Sequence, residues 1–278
     1  MWSQTVSRTT DTDVIMRIVD THAHLDHCEQ IEESLKRAAD AGVGAVLAAG
    51  VDLDSNKRNL AIQKNIPTPR VYLAMGLHPG NIKSDEIDAC LDFVQANIKE
   101  LVAIGEIGLD FWYRWVRKSD EKKEEQREVF RRQLIIAKEN DLPVIIHSRG
   151  AWKYCLEMVK EVGVKKGVFH WYSGPLDILE KILAEGFYVS CTPSLAYSKE
   201  AQEAMKQVPL ARALIETDSP VYFRNKEEES GFRAEPKDVL KTLDLFAELK
   251  NMDRKEALCV LNQNAQHLFG IKVGDFST

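Results

Sequence analysis

Eight short apolar runs alternate with longer, charged segments along nearly the whole chain. They lie at residues 18–25, 45–51, 71–78, 102–109, 144–148, 167–171, 188–192 and 213–217. Between them, helical patterns occupy 31–41, 85–98, 124–140, 152–162 and 176–184. In 124–140, Val129, Phe130, Leu134, Ile135 and Ala137 form one apolar face, with Glu124, Glu125, Arg127, Arg131 and Lys138 outside it. Pro143 and Gly163 end their helices just before the next strand. Strands this apolar cannot leave one face in water, so the alternation implies a parallel sheet covered by helices. An open doubly wound sheet and a closed barrel both satisfy that pattern. The count of eight selects an α/β fold of the TIM-type (β/α)8 barrel, and so does the scatter of polar residues over the ends of distant strands.

After the eighth run, Pro236 opens a helix to Leu249, and Asp253-x-x-Glu256 reads as a capping box starting an additional C-terminal helix to Phe269. No linker-like stretch divides the chain, so a single domain is expected from 16 to 272. Residues 1–15 are polar and without period; they are expected to form a disordered N-terminal extension, with Met16 as the functional start and 273–278 as a C-terminal tail.

The charge balance, 37 Lys and Arg against 43 Asp and Glu, argues against a broadly basic nucleic-acid surface. It leaves room for an anionic substrate, because bound divalent metals supply positive charge only at a site. Cys28, Cys90, Cys155, Cys191 and Cys259 are odd in number and form no C-x-x-C pair, which reads as reduced thiols of a cytoplasmic protein. No run has transmembrane length and the N-terminus lacks a signal pattern, so no membrane role is expected.

His22 and His24 end the first run one residue apart, and a strand points residues i and i+2 the same way. Glu106 interrupts the fourth run between Gly105 and Gly108; it is either a carboxylate paired with Arg149 or Arg114, or a ligand. His147 and His170 end the fifth and sixth runs, where each is either a core histidine or a ligand. Asp218 follows the eighth, ahead of Ser219-Pro220, and either caps that turn or joins the set. Six such residues at the strand ends of one barrel converge on its C-terminal rim. Four imidazoles and two carboxylates suit zinc, manganese or iron-type ions, and one carboxylate can bridge a pair of metals. The chemistry this predicts is metal-assisted hydrolysis. The P-loop, the post-strand G-x-G-x-x-G and the Ser/His/Asp pattern of competing enzyme classes are all missing.

His78, before Pro79, projects over the same rim, as a contact to a substrate phosphate or leaving group or as a solvent-facing turn residue. Arg149, Arg224 and Arg233 are further rim candidates for phosphate oxygens. His27 and His267 are assigned to surface or helix roles. The charged run 114–132 reads as a rim loop and a solvated helix face.

These residues resemble the TatD family of metal-dependent deoxyribonucleases, within the amidohydrolase superfamily. The likeness covers about residues 18–269. It rests on Asp20-Thr21-His22-Ala23-His24-Leu25, Gly76-Leu77-His78-Pro79, Gly105-Glu106-Ile107-Gly108-Leu109-Asp110, Gln126-Arg127-Glu128-Val129-Phe130, His147-Ser148-Arg149 and Glu216-Thr217-Asp218-Ser219-Pro220 occurring together and in order. The resemblance implies two divalent ions (Zn, Mn or Mg) and 3′-to-5′ exonuclease or phosphodiesterase activity on single-stranded DNA ends. His22, His24 and Asp218 then look like ligands of one metal and His147 and His170 of the second, with Glu106 bridging. Asp218 would orient or deprotonate the attacking water, and His78 would touch the scissile phosphate. A monomer is favoured. The alternatives are an ester or amide hydrolase, for example a D-aminoacyl-tRNA deacylase, and a non-catalytic barrel that binds metal or a partner.

The chain departs from the family pattern in three places. The usual Phe-His-Cys-Phe-Ser-Gly reads Phe169-His170-Trp171-Tyr172-Ser173-Gly174, and the usual Arg-Asn-Glu-Pro-Ala reads Arg233-Ala234-Glu235-Pro236-Lys237. The segment 111–123, with Trp112, Tyr113 and Trp115, is longer and more aromatic than the family needs. It either stacks on bases or packs over the barrel mouth.

Overall fold

The computed structural model describes residues 17–224 and 231–273; the expected extension 1–15 lies outside them, as does the tail from 274 on. Each apolar run overlaps one strand, three of which start one or two residues earlier: β1 Ile18–Ala23, β2 Val43–Ala49, β3 Arg70–Met75, β4 Leu101–Gly108, β5 Val144–His147, β6 Gly167–Phe169, β7 Tyr188–Cys191 and β8 Ala213–Ile215. They pair in sequential order, every pair parallel, as a TIM-type barrel. All eight strands stop before the apolar run does. The leftover residues leave the ladder and turn over the rim, and four of the site candidates, His24, His78, His170 and Asp218, stand there.

The seam between β8 and β1 is made just beyond the strands, at a parallel bridge between Ala23 and Ser219. His24 N–H donates to the Ser219 carbonyl (2.7 Å) and Asp218 N–H to that of His22 (3.0 Å). The buried Asp20 carboxylate completes the closure, accepting from Thr217 N–H (2.9 Å) and Thr217 Oγ1 (2.6 Å). The barrel therefore closes through the loop that carries Asp218.

Helices α1 Ile31–Asp40, α2 Leu53–Asn65, α3 Ile87–Ala96, a short α4 Arg114–Arg117, α5 Asp120–Glu139, α6 Trp152–Val162, α7 Leu176–Ala184 and α8 Lys199–Gln207 follow the strands in turn. The expected helix at 124–140 starts earlier, because Ser119 Oγ accepts from Lys122 N–H as its N-cap and the charged first turn has no apolar rhythm. Its buried face keeps Val129, Phe130, Leu134 and Ala137 but not Ile135. That residue points outward while Ile136 faces in, since neighbours in a helix stand about 100° apart. In α2 the buried positions are Ser55, Asn56 and Asn59, whose side chains bond Val51 N–H, the Gly76 backbone and Asp26 N–H. That helix grips the rim loops instead of supplying core.

Beyond β8, a hairpin of β9 Tyr222–Arg224 and β10 Gly231–Arg233 precedes a reciprocal capping box between Glu235 and Asp238. Helices α9 Val239–Lys250 and α10 Arg254–Phe269 end the fold, with Asp253 accepting from Lys255 and Glu256 N–H groups. One cluster of core residues lies between strands and helices. A second, including Val19, Leu47, Ile145 and Leu214, fills the barrel interior and continues into Leu268, Phe269 and Ile271 at its N-terminal end. There Asn262 of α10 bonds both the Arg17 carbonyl and Val19 N–H. The bottom is thus plugged with apolar side chains, which leaves the C-terminal rim as the open end. No helix among the described residues is long and apolar enough to cross a membrane.

Candidate metal centre

The six expected ligands meet at one point of that rim. His22 Nε2 and His24 Nε2 lie 3.3 Å apart. Asp218 Oδ1 is 3.4 and 3.2 Å from them, and Glu106 Oε2 is 3.4 and 3.3 Å from them. Donors around a tetrahedral ion with bonds of about 2.0 Å stand about 3.3 Å apart, the spacing found among His22, His24 and Asp218. Asp218 Oδ1 and His22 Nδ1 are also buried without a hydrogen-bond partner. A buried carboxylate oxygen of that kind is costly unless a cation takes it up. The donor set fits a divalent metal.

Glu106 turns its other oxygen to a second group. Oε1 lies 2.7 Å from His147 Nδ1, 2.7 Å from His170 Nε2 and 3.5 Å from His78 Nε2. His147 Nδ1 and His170 Nε2 are 3.4 Å apart. One buried carboxylate therefore faces two donor sets, one with each oxygen. Neither Arg149 nor Arg114 is its partner; Arg149 is engaged by Asp110 instead.

The outer nitrogens of three histidines fix their tautomers. His24 Nδ1 lies 3.0 Å from the Ala49 carbonyl, which only accepts, so Nδ1 keeps a proton and Nε2 is the nitrogen turned to the centre. His170 Nδ1 points at Glu216 Oε1 (3.3 Å), and His147 Nε2 at Asp110 Oδ2 (2.9 Å). Such outer acceptors orient an imidazole and raise its basicity toward a metal. His78 is the reverse case. Its Nδ1 accepts from Gly80 N–H (2.9 Å), which leaves the proton on Nε2, aimed inward. Burial pushes its pKa down to about 3, so it stays neutral and presents a hydrogen-bond donor.

Carboxylates and imidazoles hold one another's charge here. Burial works against charge on His24, His147 and His170, but the surrounding carboxylates outweigh it and raise all three pKa values. Burial likewise opposes the Glu106 and Asp218 anions, and the neighbouring histidines overcome it and lower both. Asp218 and Trp171 hold left-handed backbone, φ 51° and 41°, a conformation uncommon outside glycine that clusters at functional sites.

A cavity of ≈ 450 Å³ opens over the centre. His78, Arg149, Trp112, Tyr113, Trp152 and Trp171 are in its wall. Arg224 and Arg233 lie on the β9–β10 hairpin, exposed, and are not part of the described wall. His27 pairs with Asp26 and His267 is exposed on α10, in the surface and helix positions expected of them. The Trp171 indole donates to Ser194 Oγ (2.9 Å) and leans on Phe223, so the hairpin braces it.

Two residues of the centre stand outside the expected set. Asp110 and Glu216 are buried, and each orients one candidate ligand. Both lie inside the motifs quoted above, but nothing in their spacing pairs them with histidines 37 and 46 residues away.

Comparisons with known proteins agree with this geometry. The profile of the TatD related DNase family matches residues 19–270. Deoxyribonuclease TATDN3 of Homo sapiens is 31% identical over 263 residues, covering 91% of this chain and 94% of the human protein. The metal-dependent hydrolase YabD of Bacillus subtilis is 34% identical over 267 residues, covering 91% and 99%. The crystal structure of the TatD homologue YjjV from Escherichia coli superposes with a TM-score of 0.82 at 29% identity, covering 93% of this chain and all of that one.

Proposed function

Because this chain belongs to the TatD family of DNase-related, metal-dependent hydrolases, we propose that it is a 3′-to-5′ exonuclease. Its substrate in this reading is the end of single-stranded DNA, cleaved with two divalent ions at the rim. The observation that carries the reading is Glu106, whose two oxygens face separate donor sets. His22, His24, Asp218 and Glu106 Oε2 would hold one ion; His147, His170 and Glu106 Oε1 would hold the other. Nitrogen-rich donors favour zinc or manganese over magnesium. When bound, such ions supply an acidified water and positive charge opposite the phosphate oxygens.

The remaining chemistry falls to side chains of the chain. Asp218, ionised at neutral pH, is placed to orient the attacking water and accept its proton. His78 offers its Nε2–H to a phosphate oxygen and, being neutral, adds no charge that would repel an ion. Arg149 stands in the cavity wall with one side on Asp110, ready to pair a second phosphate. A TIM-barrel floor packed with apolar side chains keeps these groups rigid.

The test is a pair of single-stranded oligonucleotides, labelled at the 3′ or the 5′ end, digested with the metal-loaded protein. The 3′ label leaves at once as a mononucleotide, while the 5′ label shortens stepwise. Internal cuts from the outset would replace the exonuclease reading. Cleavage of aminoacyl esters with intact DNA would move the substrate to the ester class. Glu106→Ala, assayed for metal content and for hydrolysis of bis(p-nitrophenyl) phosphate, loses both; unchanged values would remove the site assignment.

A further inference from the structure

The segment between β4 and α5 carries aromatic surface that the chemistry at the centre does not use. Trp112 and Tyr113 line the cavity, but Trp115 lies beyond it, 57% exposed. Trp115 stacks on Tyr113 with ring centroids 4.3 Å apart and planes 18° from parallel. The Arg149 guanidinium lies over the same Tyr113 ring at 5.0 Å. The tier of planar groups thus starts at the cavity wall and ends in solvent.

Its base is rigid. Asp110 Oδ1 accepts from Trp112 N–H (2.9 Å) and Tyr113 N–H (3.3 Å), while Asp110 Oδ2 faces His147. Tyr113 rests on Gly80, where a Cβ would come within 2.6 Å of its hydroxyl. Trp112 rests on Gly150, where a Cβ would lie 2.2 Å from its Cδ1. A planar ligand on this tier would meet a surface already fixed in place.

The charge beside it is local and uncompensated. Arg114, Arg117 and Lys118 are exposed around Trp115, and no carboxylate among the described residues pairs with them. In the next helix, Lys122, Lys123, Arg127, Arg131 and Arg132 each have one. On a chain of net charge −6, three free cations around a stacked aromatic pair suit a ligand that is both planar and anionic.

We propose that the Tyr113–Trp115 stack, flanked by Arg114, Arg117 and Lys118, is a binding platform for single-stranded nucleic acid. It takes the unpaired bases of the strand just outside the cavity, with their phosphates on the three cations. Every base has a face to stack, so the platform is indifferent to sequence; duplex bases, already stacked on one another, are refused. The proposal rests on the nuclease reading for its direction, since the platform adjoins the cavity where the strand end is cut.

The test uses the full-length, metal-loaded protein and phosphorothioate oligothymidylates, followed by tryptophan fluorescence quenching. A dodecamer binds more tightly than a dinucleotide. Trp115→Ala weakens the dodecamer about tenfold and leaves the dinucleotide unchanged, and Trp115→Phe restores most of the loss. Replacing Arg114, Arg117 and Lys118 by Gln together lowers the slope of log affinity against log salt by about 2. Turnover of bis(p-nitrophenyl) phosphate stays at the wild-type rate in all of these variants. Dodecamer affinity unmoved by Trp115→Ala, or equal affinity for a duplex of the same length, would overturn the platform. DNA degradation with the same length dependence in every variant would also remove the platform, yet keep the nuclease. Trp115-dependent binding without any nucleotide release would do the opposite.

Discussion

Glu106 Oε2 and Asp218 Oδ1 each lie 3.2 to 3.4 Å from His22 and His24; around Glu106 Oε1, His147 and His170 close in to 2.7 Å. The first spacing is that of ligand edges around an ion. The second is that of charge-assisted hydrogen bonds. The cause lies in what holds each side chain from behind. His24 is pinned by a backbone carbonyl, and Asp218 by its left-handed backbone and its N–H bond to His22, so neither can move inward. His147 and His170 are backed by the carboxylates of Asp110 and Glu216, whose negative charge favours a proton on each ring and so the short contact to Glu106 Oε1. An ion entering the first set finds its donors already spaced; one entering the second has to part them. In the proposed two-ion centre, the first set would therefore be the tighter site and the second the weaker, more easily exchanged one.

The largest expected effect comes from breaking the tight half. Asp218→Asn removes a ligand and the proton acceptor together, and phosphodiester turnover falls by roughly a thousandfold or more. Metal content by elemental analysis drops in the same variant; full turnover would dissolve the distinction between the halves. Weakening the other half from behind is milder. Glu216→Gln and Asp110→Asn each lower affinity for the second ion by about 10–100-fold, the usual cost of losing an outer hydrogen-bond partner, and leave the first ion bound. Excess metal in the assay restores their turnover, and failure of that rescue would assign these residues another role.

A pH series sharpens the comparison further. His24 and His170 have folded pKa values above the ordinary 6.5, so in metal-free protein the stability they confer is complete below pH 6.5 and fades as pH rises through the folded values. Glu106 and Asp218 are depressed below 4.5 and 3.8, so theirs is present above those values and fades as pH falls through the folded ones. The metal-free protein melts highest in the window between. Metal loading extends that plateau to the alkaline side, because an ion replaces the protons. Melting curves with and without chelator check this, and parallel curves would contradict it. The smallest effect on either half is expected from the barrel floor. Phe269→Ala costs about 3–5 kcal/mol of stability by denaturant titration, with per-molecule turnover unchanged in the folded fraction.

Apolar patterning made all eight strands and most of the helices readable, because a parallel sheet has no wet face to blur the signal. It also exposed the ligands, since a His or Glu stands out among Val and Ile. What escaped it was whatever pairs polar with polar at long range. Asp110 and Glu216 look like surface residues beside their own neighbours, and only closure of the barrel brings them to His147 and His170. Helix α2 buries Asn and Ser, so it carries almost no apolar rhythm. Arg233, expected at the rim, lies exposed on the β9–β10 hairpin that braces Trp171, outside the described cavity wall. Trp171 was visible as a departure, while its brace on Phe223 was not.

Calorimetric titration of metal-free protein with zinc or manganese, in wild type and His147→Ala, addresses the unequal pair directly. Wild type takes up two ions in two resolved events of different affinity, and His147→Ala loses only the weaker one. A single event, two indistinguishable ones, or loss of the tighter event in His147→Ala would contradict a centre in which Glu106 joins one preformed site to one that must open.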